Sequence, residues 1–127
     1  MTEIQEWTVA RHLDGKPAEI VALYRRFIEL AEQCGPFTYA VAKTAITLKG
    51  SRRGFAGAAL HSAFLGGYLD LQRQVTDPRI RSSSPYTKRL FVHQFRITAA
   101  DQLDEQFARL LQEAYQVGQG AHLLTPP

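Results

Sequence analysis

Seven cations carry the chemistry that this sequence offers most plainly: Lys43, Lys49, Arg52, Arg53, Lys88, Arg89 and Arg96. A guanidinium is planar and presents paired N–H donors, so it matches a phosphate bidentately, whereas lysine acts as a point charge. Lys43 and Lys49 fall on one face of a run with period-two alternation, about 20 Å apart along a strand. Arg52 and Arg53 crown a glycine-bounded turn, and Arg96 falls on the exposed side of a later strand. Tyrosines 39, 68 and 86 lie near these cations in the chain. A basic sheet with aromatic rings beside it can hold single-stranded nucleic acid, with bases stacked on rings and phosphates following the cations. The competing reading is that the cations solvate exposed strands and keep sheet edges from pairing.

The charge is segregated. The chain has 127 residues and a net charge of +3. Between Lys43 and Arg96 there are ten cations and two acids, a net of +8, and the rest of the chain carries five cations and ten acids, a net of −5. A basic middle between acidic ends points to an anionic partner.

Other chemistry is sparse. The sequence has no P-loop, no G-x-S-x-G, no H-E-x-x-H and no Cys-x-x-Cys, so no catalytic residue, metal or cofactor is assigned. The four histidines lack metal-ligand spacing. His93 lies between Phe91 and Phe95 on an expected core face, where a buried ring needs a partner for each nitrogen. With Gly66, Gly67 and Tyr68 it makes a second candidate site, a pocket between sheet and helices. Asp70 and Asp77 read as an edge salt bridge and a turn cap. The single cysteine, Cys34, excludes an internal disulfide and reads as a small buried hydrophobe.

These residues need elements to position them. Asp14-Gly15-Lys16-Pro17 starts a helix, and Ile20, Leu23, Phe27, Leu30, Ala31 and Cys34 form its apolar stripe up to Gly35-Pro36. One long strand is expected to run to Lys49, then strands over 55–60, 64–71 and 90–98. Gly66-Gly67 marks a bulge or a close approach. Residues 72–88, with Asp77-Pro78 and Ser82-Ser83-Ser84-Pro85, read as a long loop carrying Arg73, Arg79, Arg81 and Lys88. A last helix is expected from about Asp101, with Leu103, Phe107, Leu110, Leu111, Ala114 and Val117 as its stripe, ended by Gly118. The expectation is a single two-layer α+β domain: a four-stranded, mainly antiparallel sheet with an N-terminal and a C-terminal helix on one face. Residues 1–13 would be an arm, 14–118 the core and 119–127 a frayed tail.

Several short runs resemble an uncharacterised bacterial family of unknown function. They are Lys43-Thr44-x-Ile46, Arg52-Arg53-x-Phe55, Asp77-Pro78-Arg79-Ile80, Val92-His93-x-Phe95-Arg96-Ile97, and Leu103-Asp104 with Glu113-Ala114-Tyr115. The resemblance covers roughly residues 20–118. It implies an α+β domain that occurs as a small stand-alone protein or beside other modules, some of them nuclease-like, and it implies no activity.

Three functions remain open at this level. One is a binding domain that contacts nucleic acid or another polyanion through the basic sheet face and the 73–89 loop. Another is a small-molecule site or modest enzyme near His93. The third is a homodimeric interaction module. No apolar run reaches membrane-span length, and the acidic first residues do not resemble a signal peptide, so a cytoplasmic protein without membrane contact is expected.

Overall fold

The computed structural model describes residues 7–123. A short helix α1, Val9–Leu13, is capped by the Thr8 hydroxyl, which accepts from the Arg11 N–H at 3.1 Å. Its His12 donates from Nε2 to the Ala42 carbonyl at 2.7 Å, which ties the N-terminal segment to the sheet. Helix α2, Ala18–Cys34, buries Ile20, Leu23, Tyr24, Phe27, Leu30 and Ala31 along the stripe that the spacing predicts. Pro17 is its N-cap, and no side chain caps it, so Asp14 is not the capping residue.

Six strands follow: β1 Thr38–Val41, β2 Ile46–Lys49, β3 Gly54–Leu60, β4 Leu65–Leu71, β5 Ile80–Thr87 and β6 Leu90–Ile97. They form one antiparallel sheet in the order β1-β2-β3-β4-β6-β5. The expected four strands are thus six, for two reasons. The expected long first strand folds back on itself at 42–45, where the Ala42 N–H donates to the Ala45 carbonyl at 3.0 Å. The expected loop ends in β5, which pairs with β6 and lies at the sheet edge, where serines and a proline are tolerated.

Helix α3, Glu105–Gly118, is capped by Asp104, which accepts from the Phe107 N–H at 3.0 Å. Asp101 instead sits in a 3₁₀ turn, Ala100–Gln102, so the helix starts later than its acids suggested. A second 3₁₀ turn, Ala121–Leu123, follows α3, and the remainder of the expected tail, like the first six residues of the expected arm, lies outside the described residues.

Helices α2 and α3 pack on one face of the sheet, and the core lies between the two layers. Phe27, Phe95 and Phe107 meet there with ring centroids 5.3 to 6.3 Å apart. A bulge in β3 opposite Leu48 and Lys49 turns Phe55 and Ala56 both inward, and both are fully buried. Phe55 then fills the space beside Gly118, where a Cβ would lie 2.6 Å from its ring. Burying each such large side chain contributes about 1.5–3 kcal/mol. Among the described residues no helix covers the opposite face of the sheet.

Candidate anion-binding surface

Strand alternation decides which residues reach the open face. The pairings set one row across five strands: Thr47, Gly57, Tyr68, Gln94 and Ser82. Ala59, Gly66 and Arg96 make the next row towards one end, and Asp70, Val92 and Ser84 the next towards the other. The Tyr68 hydroxyl reaches back along its row to Thr47 Oγ1 at 3.3 Å, so its ring lies over Gly57, where a Cβ would be 2.4 Å from it. Burial pushes the Tyr68 phenol up, so it stays a neutral donor.

At the end where β2 finishes and β3 begins, cations gather around the C-terminus of α3. The Arg52 and Arg53 N–H groups donate to the Gly118 carbonyl at 2.8 and 3.3 Å, which fixes their turn against the helix end. Arg89, in the β5–β6 turn with Lys88, donates from Nη1 to the His122 carbonyl at 3.1 Å. Partial burial and then the positive fields of Arg53, Arg89 and Arg52 lower the His122 imidazole below its ordinary range. Its Nδ1 is buried without a hydrogen-bond partner. Lys49 ends β2 and is exposed. Among the described residues no ion pair engages Lys49, Arg52, Lys88 or Lys43. Arg53 is different: it holds Asp70, and the exposed Tyr86 ring approaches its guanidinium to 5.4 Å.

Lys43 does not lie on a strand face beside Lys49. It sits in the β1–β2 turn, at the other end of the sheet. Arg96 is at that end too, with its guanidinium 4.1 Å from the centre of the Phe64 ring, against which His61 stacks at 4.4 Å. Arg96, Arg81, Gln94, Tyr68, His61 and Phe64 surround a cleft of ≈ 340 Å³ whose floor includes Gly57, Ala59 and Gly66. Arg81, His61 and Phe64 were not among the site residues expected from sequence. The signal for Arg81 was its place just ahead of the serines, which joins Arg96 only once β5 is seen to pair with β6.

The structure separates the second set of sequence candidates. Gly66 and Tyr68 belong to this open-face cleft, whereas His93 points into the core and is fully buried. Its Nδ1 lies 3.1 Å from the Phe91 carbonyl and its Nε2 accepts from the Val75 N–H at 2.9 Å. That geometry requires the neutral Nδ1–H tautomer, and burial lowers the pKa accordingly. Gly66-Gly67 forms no bulge. Gly67 allows close packing, because a Cβ there would lie 2.2 Å from the Gly57 carbonyl oxygen and 2.4 Å from Phe95.

Two of the cations assigned to the expected loop serve the fold. Arg73 makes two hydrogen bonds to the Glu113 carboxylate of α3, at 2.9 and 2.7 Å. The Arg79 guanidinium binds both Asp77 oxygens, the Gln102 carbonyl and the Asp104 carboxylate. Cys34 is half-buried, with its thiol pushed up by burial. Among the described residues no group of three His, Cys, Asp or Glu side chains is placed to hold a metal ion, and no helix is long and apolar enough to cross a membrane.

Neither the comparison with curated proteins nor that with solved structures returns a match. The family described as Domain of unknown function (DUF5655) matches residues 9–118, which takes in both layers, the open face and the cations at its two ends. The chain belongs to this family.

Proposed function

We propose that this domain binds a polyanion on the open face of its sheet, and that the ligand is single-stranded nucleic acid. The observation that carries this reading is the distribution of charge on that face. Lys49, Arg53, Arg81 and Arg96 border or lie on it, with Arg52, Lys88 and Arg89 at one end. Asp70 is the one carboxylate on its strands among the described residues, and it is buried against Arg53. The acids Glu29, Glu32, Glu105 and Glu113 stand on the helices.

The shape fits a strand better than a duplex groove. β4 alone spans about 20 Å at ~3.3 Å per residue, so the face offers a path between two cationic ends. Tyr86, 62% exposed, gives a ring on which a base can stack without regard to sequence. Phosphates would then meet Arg52, Arg81, Arg89 and Arg96, none of which pairs with a carboxylate among the described residues.

The test is charge reversal at the end of the proposed path and away from it. Arg52→Glu and Lys88→Glu should each weaken binding of a labelled oligonucleotide by tenfold or more, since each change removes an attraction and adds a repulsion. Arg25→Glu on the exposed side of α2 should change it by less than threefold. Equal losses from all three variants would show that net charge alone governs binding and would remove the sheet face from the account.

A further inference from the structure

We propose that the cleft between Tyr68 and Phe64 is a binding site for one nucleoside monophosphate unit. This rests on the nucleic-acid reading of the face and names the part of the ligand that one place on it holds. The cleft is ≈ 340 Å³, at the small end of ligand sites, where a single nucleotide fits. Its floor includes small residues. The row partners Ala59 and Gly66 carry a methyl group and no side chain, and the Tyr68 ring lies flat over Gly57. A planar ring can therefore rest on the Ala59 methyl and beside the Tyr68 ring, with Phe64 and His61 standing next to Gly66.

The polar groups around the floor suit a phosphorylated ligand. Arg81 and Arg96 come from adjacent strands, and among the described residues neither makes an ion pair. Both arginines line the cleft, and their paired N–H donors suit a phosphate dianion. Gln94 adds an amide with both donor and acceptor, the pair of functions that a base edge requires. His61 packs on Phe64 and stands 3.4 Å from where a Gly66 Cβ would be, so it closes one wall. Among the described residues no acid lines the cleft.

Backbone amide NMR of the full chain, titrated with each nucleoside monophosphate and with inorganic phosphate, tests the assignment. Shifts at Gly57, Gly66, Tyr68 and Gln94 are expected with the nucleotides. Arg81→Ala or Arg96→Ala should weaken the apparent affinity about tenfold. Ala59→Leu, which raises a side chain from the floor, should abolish the shifts while the rest of the spectrum stays folded. Inorganic phosphate that reproduces the same shifts with equal affinity would overturn the nucleotide assignment and leave a simple anion site. No shifts with any monophosphate, in a protein that still binds an oligonucleotide, would overturn the cleft alone. Nucleotide shifts in a protein that binds no oligonucleotide would overturn the strand-binding reading alone.

Discussion

Arg53 Nη2 donates to Asp70 Oδ2 at 2.8 Å, yet the other oxygen of that carboxylate is buried with no partner. The two facts together explain why the Asp70 carboxyl is raised above its ordinary range: desolvation outweighs the attraction to Arg53. The sign of the consequence follows. A carboxyl whose folded pKa is raised binds its proton more tightly in the folded state. Its contribution to stability is therefore largest below the unfolded value, near 4, and is lost as pH rises through the folded pKa. Asp70→Asn should melt at the same temperature as the wild type or higher at pH 7, with the difference shrinking as pH falls towards 4. It also frees Arg53 on the open face, so oligonucleotide affinity at low salt should rise a few-fold. A large fall in melting temperature at pH 7 would mean that the ion pair outweighs the burial.

Arg79 is the junction between the two layers at the opposite end. Its side chain is 10% exposed and that of Asp77 3%, and it also binds the Gln102 carbonyl just before α3. Asp104 joins the same guanidinium, and the Phe107 N–H that it caps, with help from Arg79, holds its carboxyl below the usual range. Removing the arginine takes the ion-pair partner from the buried Asp77 side chain. Arg79→Met should cost about 3–5 kcal/mol in urea unfolding. Arg73→Met, which breaks the exposed pair with Glu113, should cost about 1 kcal/mol or less. Equal costs would show that Arg79 does not organise this junction.

His93 offers a pH prediction of the opposite kind from Asp70. Its imidazole pKa is lowered by burial, so the unfolded chain binds a proton that the folded chain does not. Stability should fall as pH drops below the unfolded value of about 6.5 and continue to fall towards the folded pKa. His93→Leu removes this part of the pH dependence. It also leaves the Val75 N–H without an acceptor, at a cost of about 1–3 kcal/mol at pH 8. Melting temperatures of both proteins from pH 8 to 5.5 check this, and parallel curves would remove His93 as the source.

The parts of the fold that were legible in sequence are those whose pattern is local. β6 alternates apolar and polar residues, and Phe95 and Ile97 are buried as that alternation requires. The stripe of α2 follows helical spacing closely. The hinge between β1 and β2 was hidden because Ala42-Lys43-Thr44-Ala45 contains no glycine, proline, asparagine or aspartate, and its residues continue the strand pattern. β5 was hidden because an exposed edge strand can be built of serines and a proline, which also make loops. The cations were visible as residues, but their partners were not. Arg53 finds Asp70 seventeen residues away, and Arg73 finds Glu113 forty residues away on another element. Long-range pairing therefore separates the cations that hold the fold from those that make no ion pair among the described residues.

On the proposed function, the open sheet face binds single-stranded nucleic acid through its cations. The most direct measurement is fluorescence anisotropy of a labelled single-stranded oligonucleotide at about 50 and about 200 mM salt, with duplex DNA alongside. Micromolar or tighter binding is expected at the lower salt, with the single strand favoured over the duplex. If four to six phosphates are engaged, affinity should fall by roughly 50- to 300-fold at the higher salt. The double variant Lys49→Ala/Arg52→Ala should bind more weakly at the lower salt and lose less on the change. Absence of binding at 50 mM salt, or binding that salt does not weaken, would contradict the account.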